Sequence, residues 1–204
     1  PLHYCKREGQ HILSVVNVAE SEMARVSDAV LLTKAGPEVG VASTKAFTSQ
    51  VLALTLFALK LGRMRDLSAE GGHRLLKALA ALPDQMSGYL EQEDQLRELA
   101  DSIKEEPYIL FLGRGANYPT ALEAALKLKE VSYIQCEGFA AAEMKHGPIA
   151  LIRSGTPVIV ICPRDHLQEK TLSAMEEVKA RGARVIAIAN PDDERVAEVA
   201  DQVI

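Results

Sequence analysis

Glu123, Lys127 and Glu130 recur at intervals of four and three residues in "ALEAALKLKEVSYI", the spacing that sets side chains on one face of an α-helix. A carboxylate one turn from an ammonium can accept a proton while the cation steadies the negative charge left behind. The same trio is also what an exposed ion-pair ladder looks like, worth a few tenths of a kcal/mol per pair. Spacing does not choose between them. Downstream, "EMKHGP" carries His146 directly before Gly147-Pro148. The residue before a proline is steered toward extended backbone, so a helix is expected to end there. His146 then sits at a helix C-terminus, where the dipole favours the protonated ring. It is either a capping side chain or a general acid–base group titrating near neutrality.

Two more segments carry polar groups in suggestive places. "GRGANYP" (113–119) follows the apolar run "YILFLG". A dinucleotide fingerprint is excluded, because the third glycine is missing and no suitable acidic residue closes a second strand. What remains is a tight strand-to-helix turn that places Arg114 at the carboxyl end of a strand, where open α/β sheets bind ligands. "TKAGPEVGVASTKAF" (33–47) ends in Ser43-Thr44 at the start of a long apolar helix. A hydroxyl there caps the helix, or the helix N-terminus receives a polar or anionic group.

These side chains need elements to hold them, and an internal repeat defines those elements. Shifted by 173 positions, "KREGQHILSVVNVAESEMARVSDAVL" falls without gaps on "KARGARVIAIANPDDERVAEVADQVI". Lys6 meets Lys179, Gly9 meets Gly182, Asn17 meets Asn190, and Asp28 meets Asp201. Each copy reads as a helix stopped by glycine, a continuous apolar strand, a short acidic helix and another strand. Helix alternating with apolar strand predicts an α/β fold of two doubly wound parallel-sheet domains. Copy one lacks counterparts of residues 108–173, and copy two stops where copy one continues into the 33–47 loop, so both domains read as incomplete and the chain as a segment. The expected layout is the C-terminal part of a first domain over 1–67, a helical connection over 68–107 and a second domain over 108–204. Residues 44–63 are apolar around much of the helix and are expected to be largely buried. Residues 68–92 predict a helix broken or bent near Pro83, and 93–105 an amphipathic one.

The bulk properties exclude several classes. A net charge of −5, with no basic run interleaved with aromatics, argues against nucleic acid as a partner. The longest apolar stretch, "VLALTLFAL", is far short of a membrane span. Cys5, Cys136 and Cys162 fit neither a metal-ligand spacing nor a disulfide framework and read as reduced thiols. No signal-peptide pattern is visible, and a cytoplasmic protein without metal is expected.

Taken together, "GPEVGVASTKAFTSQ" (36–50), "LFLGRG…ALEAALKLKE" (111–130) and "EGFAAAEMKHGP" (137–148) closely resemble the tandem SIS sugar isomerase domains of the glutamine–fructose-6-phosphate amidotransferases, which make glucosamine 6-phosphate. The resemblance runs over essentially the whole chain. It implies two doubly wound domains, a sugar-phosphate substrate, no cofactor and a homodimer. It further implies that Glu130 moves the proton between sugar carbons and Lys127 stabilises the developing oxyanion. His146, donated by a neighbouring subunit, opens the sugar ring. Val41, Ala42 and Ser43 are implied to contact the sugar, with Arg114 at the site mouth. The family's Ser/Thr-rich phosphate loop, its C-terminal lysine tail and its glutaminase domain have no counterpart in these 204 residues; Cys5 lies in the wrong context to replace the glutaminase cysteine. The chain alone is therefore not expected to turn over. Two other readings stay open: a stand-alone sugar-phosphate isomerase, deaminase or deglycase on the same pair of domains, and a non-catalytic sugar-phosphate sensor. The latter has no need of a base.

Overall fold

The repeat is visible as bonding as well as sequence. In a computed structural model describing residues 1–204, Lys6 Nζ lies 2.7 Å from Asp28 Oδ1 and donates to Val26 O at 2.9 Å. One repeat length on, Lys179 Nζ lies 3.0 Å from Asp201 Oδ1 and donates to Val199 O at 2.6 Å. The other oxygen of each aspartate accepts a strand amide: Ile12 N–H to Asp28 at 2.9 Å and Val185 N–H to Asp201 at 2.8 Å. Each clamp ties a helix C-terminus, a strand start and the next helix end together, which explains why these identities survive in a divergent repeat.

The chain divides into two compact units, Pro1–Glu93 and Asp94–Ile204. The first contains α1 (Leu2–Arg7), β1 (Leu13–Val16), α2 (Glu22–Val26), β2 (Ala29–Leu32), α3 (Lys45–Arg63) and α4 (Ala69–Leu90). β1 and β2 pair in parallel, Leu13 opposite Ala29. Ser21 and Ser68 cap α2 and α4 by accepting the N–H of Ala24 and Gly71. α4 runs through Pro83 as one continuous helix, where a break or bend was expected. The expected burial of α3 is corrected more strongly. Only Leu59 is buried, while Leu52, Leu54, Leu56 and Leu61 are 40%, 52%, 42% and 43% exposed. A helix apolar on all sides needs neighbours on all sides, and this unit offers α3 a two-stranded sheet and α4.

The second unit contains α5 (Glu93–Ile103), β3 (Tyr108–Gly113), α6 (Asn117–Ser132), β4 (Gln135–Ala140), β5 (Pro157–Cys162), α7 (Gln168–Ala180), β6 (Arg184–Ala189), α8 (Glu194–Val199) and β7 (Gln202–Val203), with 3₁₀ turns at Ala141–His146 and Pro148–Leu151. All five strands are parallel in the order β4-β3-β5-β6-β7. This is the doubly wound order 2-1-3-4-5, whose reversal lies between β3 and β5. The apolar runs are continuous because both faces are covered. Leu110, Leu112, Val158 and Val160 pack with Met144, Met175 and Val178 on the face of α7 and the first 3₁₀ turn. Ile109, Phe111 and Ile159 pack with Leu99, Ile103, Ala121 and Ala125 on the face of α5 and α6. Glycines set the closeness of α6. A Cβ at Gly138 of β4 would lie 2.8 Å from Leu122 Cα and 2.9 Å from Ala121 O, and one at Gly113 only 2.0 Å from Asn117 O.

Candidate active site

That seating fixes how α6 presents its charges. Lys127 Nζ lies 2.7 Å from Glu130 Oε2 and 3.4 Å from Glu123 Oε1. The three side chains are only 23% to 28% exposed, whereas Leu122 and Leu126 of the same helix are 43% and 42% exposed. An ordinary surface ladder has the opposite arrangement, with leucines covered and charges in water. Glu130 Oε2 is sealed from solvent and receives no well-directed hydrogen bond, so its charge is answered by the Lys127 ion pair alone. The contact with Glu130 raises the Lys127 pKa; desolvation opposes this, and Glu123 adds to it. The cluster holds one cation between two carboxylates, the pairing of a proton acceptor with a charge-stabilising group. On the side of α6 that faces the sheet, Ala121 and Ala125 are buried and Ala124 and Leu128 pack against the same core. Val131 is 65% exposed, close to the helix end at Ser132, after which Tyr133 turns left-handed at φ 62°.

His146 ends the 3₁₀ turn Ala141–His146, pinned by buried Ala141 and Met144, and is itself exposed. Gly147 follows at φ 145°, a conformation that glycine adopts without strain. The expected α-helical C-terminus is therefore a 3₁₀ turn. It lies on the α7 face of the sheet, whereas Glu130 and Lys127 ride on α6 on the other face. Within one chain the turn that ends in His146 and the helix that carries Glu130 are thus anchored in cores on opposite faces of the sheet. Arg114 is half-buried after β3, its Nη1 donating to Lys170 O at 3.5 Å. Glu130 lies near the far end of α6, about 20 Å along the helix at 1.5 Å per residue. The structure brings Lys127 and Glu130 together and leaves Arg114 and His146 apart from them.

Val41, Ala42 and Ser43 belong to the first unit, in the loop between β2 and α3. Val41 is 93% exposed. The Ser43 hydroxyl donates to Glu38 Oε2 at 3.0 Å, and the Thr44 N–H donates to Glu38 Oε1 at 2.7 Å. A carboxylate from the loop thus occupies the N-terminus of α3, where a Ser or Thr cap or an external anion was expected. The Thr44 amide, against burial and with help from Ser43, holds the Glu38 pKa below its ordinary value. Sequence periodicity misses Glu38 because it lies outside the helix it caps; the turn residues "GPEVG" are its only signal. It misses Lys145 and Lys170 as well, which meet Arg114 only through the fold. No group of three His, Cys, Asp or Glu side chains is placed to hold a metal ion, and no helix is long and apolar enough to cross a membrane.

Comparison with known proteins fits this geometry to a family. The SIS domain model matches residues 2–60 and 102–204. The chain is 48% identical over 203 residues to glutamine–fructose-6-phosphate aminotransferase (isomerizing) of Chlorobaculum tepidum, covering 100% of this chain and 33% of that protein. It is 52% identical over 186 residues to the protein of the same name from Bradyrhizobium diazoefficiens, covering 91% and 31%. Among solved structures, the C-terminal domain of glucosamine-fructose-6-phosphate aminotransferase from Francisella tularensis superposes with a TM-score of 0.92 at 36% identity, over 100% of this chain and 58% of that one. The chain spans about a third of the length of the curated relatives it matches. With both copies of its repeat matched and the parallel α/β architecture shared, this chain belongs to the SIS domain family.

Proposed function

We propose that the chain is the sugar-isomerising portion of a glutamine–fructose-6-phosphate aminotransferase. In that reading residues 1–67 and 108–204 are two SIS domains joined by the helical stretch 68–107. The substrate is fructose 6-phosphate; ammonia derived from glutamine condenses at its C2 carbonyl, whose oxygen leaves as water, and the product is glucosamine 6-phosphate. Shifting the carbonyl from C2 to C1 takes a proton from C1 and returns it to C2 through an enediol or enolamine. The step needs no external oxidant, so no redox cofactor is called for. Glu130 carries the proton both ways, and Lys127 steadies charge on the developing oxygen. His146 opens the sugar ring. The imidazole comes from a second copy, and the active species is a homodimer in the cytoplasm; the anchoring of the His146 turn and of α6 in cores on opposite faces of the sheet supports this reading. Val41, Ala42 and Ser43 contact the sugar, and Arg114 lies at the site's edge.

The observation carrying this reading is the sealed Glu130 Oε2 paired with Lys127 at 2.7 Å on a helix that exposes its leucines. A binding-only protein has no use for such a carboxylate. The test is Glu130→Gln in a polypeptide of the relatives' length. Fructose 6-phosphate binding is expected to persist while exchange of the C1 proton with solvent drops about 10²- to 10⁴-fold, the usual worth of a general base. Unchanged exchange would remove Glu130 from the reaction.

A further inference from the structure

On the sheet face opposite α6, the loop after β3, the turn Ala141–His146 and α7 border a concavity of about 170 Å³. Arg114, Lys145 and Lys170 line it, together with Ser173 and one carboxylate, Glu177. None of the three cations forms an ion pair with a carboxylate, so the lining sets three positive charges against the single negative charge of Glu177. Three like charges held close repel one another unless an anion is shared between them. The position is where ligand binding is expected on general grounds. Strand order reverses between β3 and β5; Arg114 leaves the carboxyl end of β3, and α7 follows β5. Crevices at that point of a doubly wound sheet take ligands.

We infer that this concavity is a binding site for a phosphoryl dianion. Arg114 supplies a planar fork suited to two oxygens, and the two lysines supply point charges around the rest. The Ser173 hydroxyl adds a neutral donor. The space is several times the ~30 Å³ of one liquid water, enough for a phosphoryl group and a few attached atoms. The dianion is inorganic phosphate or the phosphoryl end of a sugar phosphate. Nothing here depends on proton transfer at Glu130: α6 lines no part of the site, and binding is read without turnover.

The test is calorimetric titration of the purified chain with inorganic phosphate and, separately, fructose 6-phosphate. Phosphate is expected to bind saturably. The exposed pair Lys145→Gln/Lys170→Gln is expected to weaken it about 100-fold, roughly tenfold for each charged contact removed. Glu177→Gln, which deletes the one opposing charge, is expected to tighten it several-fold, an effect that misfolding does not produce. Loss of both probes in the double variant supports a site shared by the two sources. Loss of phosphate with fructose 6-phosphate binding retained also supports the assignment and gives the sugar phosphate a separate place. Absence of saturable phosphate binding to the unaltered chain, or equal affinity in the double variant, overturns it.

Discussion

Lys127 is held against Glu130 at 2.7 Å, less than one helical turn away, and it also reaches back to Glu123. The ammonium is thus the one cation placed to face charge that develops beside Glu130. Lys127→Met is expected to lower proton exchange about 10²- to 10³-fold, the usual worth of one donor at a developing oxyanion, while Lys127→Arg, which keeps a cation there, should retain more of the rate. An unchanged rate in Lys127→Met, or equal losses in the two variants, would show that the charge of the lysine does not serve the transfer.

The opposite-face placement of His146 and Glu130 makes a specific prediction about mixed subunits. On the proposed reading, Glu130→Gln and His146→Ala are each expected to abolish conversion of fructose 6-phosphate in a polypeptide of the relatives' length. Refolded together in equal amounts, they should regain about a quarter of the unaltered activity: half the molecules are mixed dimers, and each has one site free of both lesions. No recovery on mixing would mean that both residues act from the same chain.

The seating of α6 rests on Gly138. A methyl there meets Leu122 Cα at 2.8 Å and Ala121 O at 2.9 Å, backbone atoms that move only if the helix moves. Gly138→Ala is expected to cost about 1–3 kcal/mol in chemical denaturation, the usual range for overpacking. It should also lower proton exchange by displacing the Lys127–Glu130 pair. Gly88, which has open space around it, is the control position and should tolerate alanine.

The two clamps predict an acid limit to stability. The Lys6 hydrogen bond and the Ile12 amide hold the Asp28 pKa below 3.8. At Asp201, burial pushes upward, but the Val185 amide and Lys179 outweigh it and the net shift is also downward from 3.8. A depressed folded pKa gives stability that is complete above the unfolded value and is lost as pH falls through the folded value. Tm should stay level from neutrality down to about pH 4 and fall below it. Asp28→Asn and Asp201→Asn should each lower Tm at neutrality and flatten the acid slope, as followed by circular dichroism.

The strands of the second unit were legible because a strand covered on both faces is a continuous apolar run, and "YILFLG" and "RVIAIA" are such runs. The repeat was legible because its clamp needs a Lys and an Asp at fixed positions. Which sheet face each helix covers was not, since this follows from strand order and the direction of each crossover. The separation of His146 from Glu130 was invisible for that reason, as was the meeting of Lys145, Lys170 and Arg114. The wrapped apolar pattern of α3 states what the helix requires rather than what surrounds it in this unit, and so its burial was over-read. The half-buried state of Lys127 could not be read either, because a ladder and a proton-transfer pair share the same spacing.

The first unit's sheet has only two strands, too few for much independent stability. Its amides are expected to exchange sooner than those of β3 and β5, making it the softer end of the chain under proteolysis. Because the loop bearing Val41 and Ser43 is anchored between β2 and α3, any ligand resting there must bear part of the cost of holding that soft end shut. By mass action the same ligand then protects β1 and β2 from opening.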